Sequence, residues 1–481
     1  MANISSPGVG SGLDVNSIVT QLVAIERQPI VKLQTQASSL QTKLSAFGKL
    51  QSDLAALRDA ASALTSPGTW SQTTGTSSDS AAVAVTTGDG NKPGSYSVQV
   101  TKLAQAQSNI SQTYSAATDL VGEGTIHIEL GTWGAGNSFT PKAGASAVDV
   151  SVGPPAKSLA EVRDMINAAN AGITAAVLSD ASGSRLVFRS STTGAANGFR
   201  ITVTDADSNN VDTSGLSALA YDPSVGVVTM GQALAAANAS ALINGAPVSS
   251  ETNTLANVID GMTLQLQRET SAPVQVTTAP DKDAIRKQVE AFVSAYNALN
   301  GELVTQTKYD AATKTAGTLQ GDSAAVQMRS ALRSTLRGSS DASSAFKRLA
   351  DIGFDVQQDG SIQLDGNKLD NALANLGELK KAFANSDAAV PANNGFATLF
   401  RKLADQALGI DGSIASRSAG LRSSIDRNEK RQAELEDRVA QTEARLRKQY
   451  TALDAQMGQL QSLSTYVSQQ MAVLTNNSGN G

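Results

Sequence analysis

Apolar residues near the N-terminus recur with helical spacing. The apolar positions of a first predicted helix are Leu13, Ile18, Leu22 and Ile25. Pro29 then predicts a break or the first turn of a second helix. Beyond it two seven-residue ladders interleave, which is typical of a coiled-coil seam, until Ser66-Pro67-Gly68 ends them. The ladders consist of Leu33, Leu40, Phe47, Leu54 and Ala61 and of Leu50, Leu57 and Leu64.

The C-terminal end carries a similar pattern that shifts around its helix. One ladder consists of Ile425, Gln432, Val439, Leu446, Leu453, Leu460 and Val467. A second begins at Leu421, Asn428 and Leu435, fades into Thr442, Gln449 and Gln456, and is replaced one position along by Tyr450, Met457 and Met471. Because the seam drifts, we expect one long helix to change partner midway. The polar positions of the second ladder either weaken the contact, so that it can reposition, or face solvent.

The same C-terminal region is highly charged. Between Leu421 and Tyr450, fourteen of thirty residues are charged, eight basic and six acidic. Such a run is usually the solvated outer face of a long helix. The alternative interpretation is charge matching between subunits, which exposed ion pairs support only weakly.

The middle of the chain alternates apolar and polar residues, which predicts β-strands. The predicted strands lie at 96–100, 126–130, 148–152, 173–178, 185–190, 199–203, 264–267 and 274–278. One helix is predicted among them, since Ser158 and Glu161 form an S-x-x-E capping box and Gly172 ends the apolar face that follows.

Helical spacing returns after Pro280. The first helix there is predicted over 285–299, with Gly301 just past its C-terminal end. Asp322 caps the next one, and Asp359-Gly360 turns a hairpin. The apolar face of the capped helix consists of Val326, Leu332 and Leu336, and shorter helices are predicted at 367–384 and 395–408.

These elements predict a nested, multidomain α+β architecture. Long paired terminal helices enclose a layer of bundled helices, and β-rich head domains are inserted in the middle of the chain. We expect terminal helices at 1–40 and 437–481, and a mainly helical domain at 41–72 and 281–436. A β-rich head domain is expected at 73–115 and 236–280, and an outer β-rich domain with one helix at 116–235.

Composition narrows the class of function. The chain has 481 residues, of which 41% are hydrophobic but only 4% aromatic, and aromatic side chains commonly line small-molecule pockets. A net charge of −5 argues against nucleic acid, and there is no apolar run long enough to span a membrane. Cysteine is absent and the N-terminal residues lack the pattern of a secretory signal. Both features suit a chain that leaves a reducing cell by another route.

None of the chemical motifs is convincing. Gly8, Gly10 and Gly12 imitate part of a dinucleotide fingerprint, but no strand precedes them, so we predict a flexible segment. The stretch 355–365 resembles a calcium loop but has Gln357 at a ligand position, so a plain hairpin is favoured. His127 is the only histidine and lies on the polar side of a predicted strand. We therefore expect no catalytic, cofactor or metal site, and no enzymatic activity.

Ordered segments along the whole chain resemble one protein family. The opening SSPGVGSGLDVNSIVTQLVAIERQPI is similar to the N-terminus of the bacterial flagellar filament cap family, also called hook-associated protein 2 or FliD. Further resemblances follow in the family's order at 94–108, 158–190, 242–266, 289–300, 317–326, 352–365 and 446–472. The lobe at about 110–235 is the loosest match.

The resemblance implies a structural cap at the distal tip of the growing filament, with five subunits. Such a cap retains exported flagellin and promotes its folding and insertion, which filament elongation and motility require. The resemblance also implies type III export, an extracellular location on the flagellum and a cytoplasmic chaperone on the C-terminal helix. Flagellin and hook–filament junction proteins are the further expected partners, and host mucin is the partner expected under an adhesin function.

The residues expected to act in assembly lie on the two seams. The predicted helix-pairing and oligomerisation residues are Leu33, Leu40, Phe47, Leu50, Leu54, Leu57, Leu421, Ile425, Leu435, Val439, Leu446, Leu453, Leu460 and Val467. The predicted docking residues for the chaperone or the filament are Tyr450, Leu453, Met457, Leu460 and Val467. Two alternatives stay open, another flagellar axial protein of the flagellin or junction type, and a surface adhesin that binds host mucin.

Overall fold

The computed structural model describes the chain from Asp14 to Asn477, with side chains described as far as Ala472. The chain divides into two compact units. The helical unit consists of the residues up to Thr69 and those from Ile285 onward, and the β unit is Trp70–Ala284. Long helices and antiparallel sheets confirm the predicted α+β class.

The helices of the described residues follow one another over the whole chain. In chain order they are α1 (Val15–Glu26), α2 (Gln28–Thr65), α3 (Pro67–Ser71), α4 (Leu159–Ala169), α5 (Lys282–Thr307), α6 (Ser323–Arg337), α7 (Leu349–Ile352), α8 (Gly366–Leu373), α9 (Leu376–Ala384), α10 (Phe396–Leu408) and α11 (Ser413–Asn477).

The strands lie mostly between α3 and α5. They are β1 (Thr73–Ser77), β2 (Val83–Thr87), β3 (Gly94–Lys102), β4 (Ser108–Ile110), β5 (Leu120–Trp133), β6 (Phe139–Pro141), β7 (Val148–Ser158), β8 (Ile173–Asp180), β9 (Gly183–Ser190), β10 (Gly198–Asp205), β11 (Tyr221–Asp222), β12 (Val227–Val228), β13 (Gly231–Leu234), β14 (Ala239–Ile243), β15 (Ala246–Ser250), β16 (Thr254–Ile259), β17 (Met262–Leu266), β18 (Val274–Pro280), β19 (Tyr309–Asp310), β20 (Thr315–Ala316), β21 (Phe354–Val356) and β22 (Ile362–Leu364).

Local sequence signals explain several helix starts. The Asp14 carboxylate accepts a hydrogen bond from the Ser17 backbone N–H at 2.9 Å and so caps α1. Pro29 lies in the first turn of α2, as predicted. The predicted capping box of Ser158 and Glu161 is present at α4, and Asp322 caps α6.

Four predictions about helix ends and faces were wrong. Gly301 lies inside α5, because the helix continues far enough to bury Leu303. No other atom lies within 4 Å of the place where a Cβ would be, so the position does not need a glycine for lack of space. α4 ends at Asn170, in the left-handed region, two residues before Gly172. Val326 is exposed on α6, and Met328 takes its place in the core. α8 and α9 replace the single helix predicted at 367–384.

Aromatic rings fill the core of the helical unit. Phe292 of α5 contacts Phe400 of α10 edge-on, with ring centroids 5.2 Å apart, and Tyr296 contacts the same ring at 5.9 Å. Burial raises the pKa of the Tyr296 hydroxyl to about 12. Phe354 and Phe383 extend the cluster to the β21–β22 hairpin, which turns at Gly360 as predicted. The plain hairpin predicted at 355–365 is therefore present.

The β unit holds two separate cores. The first lies between the five-stranded sheet β1-β18-β3-β14-β15 and the three-stranded sheet β16-β17-β2. The second lies between the six-stranded sheet, in which β7 pairs with β5, and the four-stranded sheet β13-β4-β9-β8, with α4 packed into it. All eight predicted strands are present, whereas β1, β2, β4, β6 and β11–β16 were missed because they are too short for a clear alternation of apolar and polar residues.

Side-chain amides pair with backbone groups at four places, three of them in strands. The buried Gln107 amide donates to the Phe199 carbonyl at 2.8 Å and accepts from the Phe199 N–H at 3.0 Å. The same two-way pairing joins Asn253 to Ala104, Asn167 to Ala175, and Asn297 to Ile362. Each amide donates to the carbonyl and accepts from the N–H of one residue, as a neighbouring strand would. The loop or helix that carries the amide is thereby fixed to the backbone opposite.

We predict that Gln107→Leu destabilises the β unit by about 2 kcal/mol, because the Phe199 backbone N–H is left buried without its acceptor, whereas the Phe199 carbonyl keeps the Trp133 indole N–H at 3.2 Å. The Trp133 indole N–H loses one of its two acceptors, the Gln107 side-chain oxygen at 3.1 Å. Urea unfolding followed by tryptophan fluorescence measures the change. Gln232→Leu, at an exposed position of β13, is the matched control. Equal unfolding midpoints for the two variants would contradict the assignment.

Acid should weaken the loop that Glu378 holds. Lys381 at 2.7 Å, together with Ser343 and Ser344, lowers the pKa of Glu378 from 4.5 to about 2. Since the folded-state pKa is the lower one, this stabilisation is complete above pH 4.5 and disappears as the pH falls through about 2. We expect Glu378→Gln to be less stable than the wild type at pH 7, and the difference to shrink towards pH 2. Urea midpoints measured across this range test it, with Glu290→Gln at an exposed position of α5 as control.

Candidate functional site in the terminal helices

The first part of α11 packs along α2. The Gln51 amide donates to the Ser418 hydroxyl at 3.3 Å, and the Asn428 amide donates to the Gln36 side-chain oxygen at 3.4 Å. Because the residue numbers rise on one helix as they fall on the other, the two helices run antiparallel. Leu421 is buried in this contact region.

The next part of α11 packs along α1. Val15, Val19 and Val23 form one row of α1, at i, i+4 and i+8, and they share a core with Val439. The Arg447 guanidinium donates to the Asn16 side-chain oxygen at 3.0 Å, at the start of α1. α11 therefore contacts α2 first and α1 afterwards, which confirms the predicted change of partner.

Burial divides the predicted pairing and docking residues into three groups. Buried ones are Phe47, Leu50, Leu54, Leu57, Leu421 and Val439. Partly buried ones are Leu33, Leu40, Ile425, Leu435, Leu446 and Tyr450. Exposed ones are Leu453, Met457, Leu460 and Val467. The structure thus brings the first two groups into the paired helices and leaves the third on the surface of α11.

The exposed group belongs to a longer apolar face, the C-terminal stripe. It consists of Leu453, Met457, Leu460, Leu463, Val467 and Met471, each between 40% and 63% exposed. At about 100° per residue these positions continue the face on which Val439 and Leu446 pack against α1. Sequence reasoning missed Leu463, although its spacing of three residues from Leu460 follows the same pattern. The stripe is a continuous helix face of the kind that a partner helix covers.

The polar ladder positions differ in their surroundings. Asn428 is buried and accepts a hydrogen bond from the Gln432 amide at 2.6 Å, so the solvent-facing interpretation was wrong for this residue. Gln449 and Gln456 are exposed and Thr442 is partly buried. A buried asparagine in a helix pair commonly fixes register at some cost in stability.

α1 uses a different face from the predicted one. The row Val15, Val19 and Val23 faces α11, whereas Ile18 and Leu22 are only partly buried and Ile25 is exposed. Both sets have helical spacing, and only the position of α11 decides between them. Leu13, Gly8, Gly10 and Gly12 lie outside the described residues. α1 therefore keeps a second apolar row on its surface.

Charges on α11 pair mostly within the helix. Lys430 lies 3.0 Å from Asp426, and Arg447 lies 2.8 Å from Glu443, both at a spacing of four residues. Exposed pairs of this kind contribute only about 0.3–0.5 kcal/mol each. They favour the solvated-face interpretation, and charge matching between subunits stays a prediction.

His127 lies in a row of polar side chains on the outer face of the six-stranded sheet. Its Nδ1 is 2.6 Å from the Asp149 carboxylate, and its Nε2 is 3.1 Å from the Thr204 hydroxyl. Asp149 is directly opposite His127 in the β5–β7 register, so the contact is an ordinary cross-strand pair. Within the described residues no three acidic or histidine side chains are placed to bind a metal. No described helix is long and apolar enough to cross a membrane.

Comparisons with known proteins agree with this geometry. The family model for the flagellar hook-associated protein 2 N-terminus matches residues 11–107, and that for its C-terminus matches residues 236–462. Flagellar hook-associated protein 2 of Escherichia coli K12 is 30% identical over 98% of both chains. The A-type flagellar hook-associated protein 2 of Pseudomonas aeruginosa is 29% identical over 98% of both chains.

A solved structure is similar as well. The crystal structure of the D1-D2-D3 domains of the flagellar cap protein FliD from Escherichia coli superposes with a TM-score of 0.56 at 27% identity. The superposition covers 78% of this chain and 99% of the Escherichia coli chain.

Fold, paired ends and comparisons together define a structural protein of the bacterial flagellum. The chain belongs to the flagellar hook-associated protein 2 family and has a filament cap role. The comparisons favour neither the flagellin or junction type of axial protein nor the mucin-binding adhesin.

Two leucines of the same predicted set should contribute differently to the free energy of unfolding, because one is buried and the other is exposed. Leu57→Ala removes a buried side chain of α2 and should destabilise the helical unit by about 2–5 kcal/mol. Leu460→Ala, with 59% of the residue exposed, should change stability by less than about 0.5 kcal/mol. Urea unfolding of the full chain followed by circular dichroism measures both changes. A Leu460→Ala variant as unstable as Leu57→Ala would show that the C-terminal stripe packs within the isolated chain.

Proposed function

We propose that copies of this chain assemble at the distal end of the flagellar filament. There they retain exported flagellin and promote its folding and insertion, without catalytic activity of their own. The observation that carries the proposal is the C-terminal stripe, an apolar helix face exposed on a chain that pairs its other seam residues internally. An exposed face of this length is expected in a protein that docks onto another helix.

The energy of docking can be bounded from the stripe itself. Each large apolar side chain contributes about 2 kcal/mol when a partner covers it fully. Six such residues supply on the order of 10 kcal/mol, before the cost of association is subtracted. Partial covering then leaves a contact that holds a cap in place but still lets it move as the filament lengthens.

Two partners can use this face one after the other. A cytoplasmic export chaperone would cover Tyr450, Leu453, Met457, Leu460 and Val467 before export, and the filament end would cover them afterwards. The exposed Ile25 row of α1 provides a second contact for flagellin or for hook–filament junction proteins. Because one apolar face holds only one helix at a time, release from the chaperone precedes docking.

The remaining parts of the chain fit the same proposal. We infer that 1–40 and 437–481 form the leg that docks, and that 41–72 and 281–436 form the helical domain above it. The head domains, 73–115 with 236–280 and the outer 116–235, would form the plate of the cap. Five copies, type III export and an extracellular location on the flagellum complete the proposal. No observation on the described residues supports mucin binding.

We predict that the double variant Leu460→Asp, Leu463→Asp folds normally but fails to hold the cap on the filament. Two carboxylates on the stripe would have to be desolvated on docking, which removes the apolar gain. A strain that lacks its own cap gene and expresses this variant should release unpolymerised flagellin into the medium and lose most of its motility. Immunoblotting of the medium and swimming assays measure the two effects.

Ser462→Asp, Gln469→Asp, two carboxylates at exposed polar positions on the opposite side of the same helix, is the control. It should retain flagellin as the wild type does. If the Leu460, Leu463 double variant is exported and also retains flagellin, the stripe does not dock the cap. If the wild-type chain fails to reduce flagellin loss, the proposed function is wrong.

A further inference from the structure

The exposed methionines of the described residues both lie on the C-terminal stripe. Met457 is 40% exposed and Met471 is 63% exposed. The other methionines that the structure describes are buried or partly buried, and they are Met165, Met230, Met262 and Met328. Exposure therefore divides the methionines by location, since the covered ones fill cores and the exposed ones lie on the face proposed to dock.

Methionine is the only sulfur-containing residue of this chain. The sequence contains seven methionines and no cysteine, so an oxidant that attacks sulfur finds no thiol to react with first. The reactivity of a thioether follows its exposure, because the oxidant reaches the sulfur through solvent. Met457 and Met471 are consequently the first sites at which such an oxidant reacts.

The reaction is the transfer of one oxygen atom from a peroxide to the thioether. A lone pair of the methionine Sδ attacks one oxygen of hydrogen peroxide, so that an S–O bond forms and the O–O bond breaks. The proton of the transferred oxygen moves to the departing hydroxide, which leaves as water. The sulfur is oxidised by two electrons and the peroxide is reduced by two. The product, methionine sulfoxide, is a polar side chain in place of an apolar one.

The two thioethers bracket the middle of the C-terminal stripe. They are fourteen residues apart, which places them roughly 21 Å apart along α11 and within about 40° of the same direction. Leu460, Leu463 and Val467 lie between them on the stripe. A partner helix that covers these three side chains along α11 therefore also covers both thioethers.

This part of α11 holds no charge that could offset the added polarity. From Ala455 to Ala472 the sequence has only apolar, small and neutral polar residues, whereas fourteen of the thirty residues at 421–450 are charged. Docking at the stripe consequently depends on apolar burial, which is lost where a polar group must be desolvated. A thioether also adapts to the surface of a partner, and the sulfoxide loses this property.

We propose that Met457 and Met471 are peroxide-sensitive modification sites, and that their oxidation to sulfoxides weakens docking of the C-terminal stripe. An undocked chain presents both thioethers to solvent and a docked chain covers them, so the oxidation acts on the undocked state. Reduction by a methionine sulfoxide reductase restores the stripe. The effect on docking rests on the proposed function, whereas the selectivity of the oxidation does not.

The selectivity is tested on the purified full-length chain. The chain is treated with dilute hydrogen peroxide, samples are taken at intervals, and the sulfoxide at each methionine is measured by mass spectrometry of its peptides. Met457 and Met471 should be oxidised at least tenfold faster than the three buried methionines, and the circular dichroism spectrum should stay unchanged. Equal rates at the exposed and buried positions overturn the proposal.

The effect on docking is tested with filaments isolated from a strain that lacks its own cap gene. Treated and untreated chains, freed of peroxide, are sedimented with the filaments, and the bound chain is quantified by immunoblotting. Oxidation should weaken binding at least tenfold. Incubation with both stereospecific methionine sulfoxide reductases and a thiol reductant should restore it. Unchanged binding after full oxidation of the two sites overturns the proposal.

The double variant Met457→Leu, Met471→Leu assigns the effect to these two sites. Whatever its own affinity for the filaments, the same peroxide treatment should leave that affinity unchanged, because neither position then carries a thioether. Met165→Leu, which removes a methionine of α4, is the matched control and should lose binding on oxidation as the wild type does. Loss of binding by the oxidised double variant would place the damage elsewhere in the chain and overturn the proposal.

Failure of this inference and failure of the proposed function give different results. If untreated and oxidised wild-type chains bind the filaments equally well, only this inference fails. If the untreated chain does not bind them, the proposed function fails, and the effect of oxidation on docking fails with it. The oxidation rates of the individual methionines are measured without filaments and decide the selectivity in either case.

Discussion

Burial of apolar rows on α11 against α2 and α1 is the interaction on which the helical unit depends. It joins segments that lie some four hundred residues apart in the chain, which costs loop-closure entropy that grows only slowly with length. Once the two ends are paired, the segments between them can form further domains without changing that contact. This explains how one chain combines a helical unit made of both its ends with a β unit made of its middle.

The pairing residues were predictable where one face alone was available. Phe47, Leu50, Leu54 and Leu57 follow a seven-residue repeat, and the structure buries them. On α1 the sequence offers two rows of equal helical spacing, and only the three-dimensional position of α11 selects the valine row. Likewise, no local pattern distinguishes Leu446, which packs, from Leu460, which does not, because both occupy the same ladder.

The amide pairings of Gln107, Asn167, Asn253 and Asn297 could not be predicted either. Each joins a side chain to a backbone segment elsewhere in the chain, and no sequence signal marks the pair, because the same amide residues also occur in solvent-facing loops. They add hydrogen bonds that the strand ladders do not provide, and so fix loops and helices to the segments opposite them.

The uninterrupted length of α11 has a mechanical consequence. Its 65 residues form one rod, which at 1.5 Å per residue measures roughly 98 Å. A continuous helix is stiff in torsion, so the direction in which the C-terminal stripe faces is set by the rows that pack against α2 and α1. A partner that binds the C-terminal end of α11 therefore also fixes the rotation of the helical unit about the axis of that helix. A kink or a flexible joint in α11 would uncouple the orientation of the stripe from that of the helical unit, whereas one continuous helix keeps them coupled.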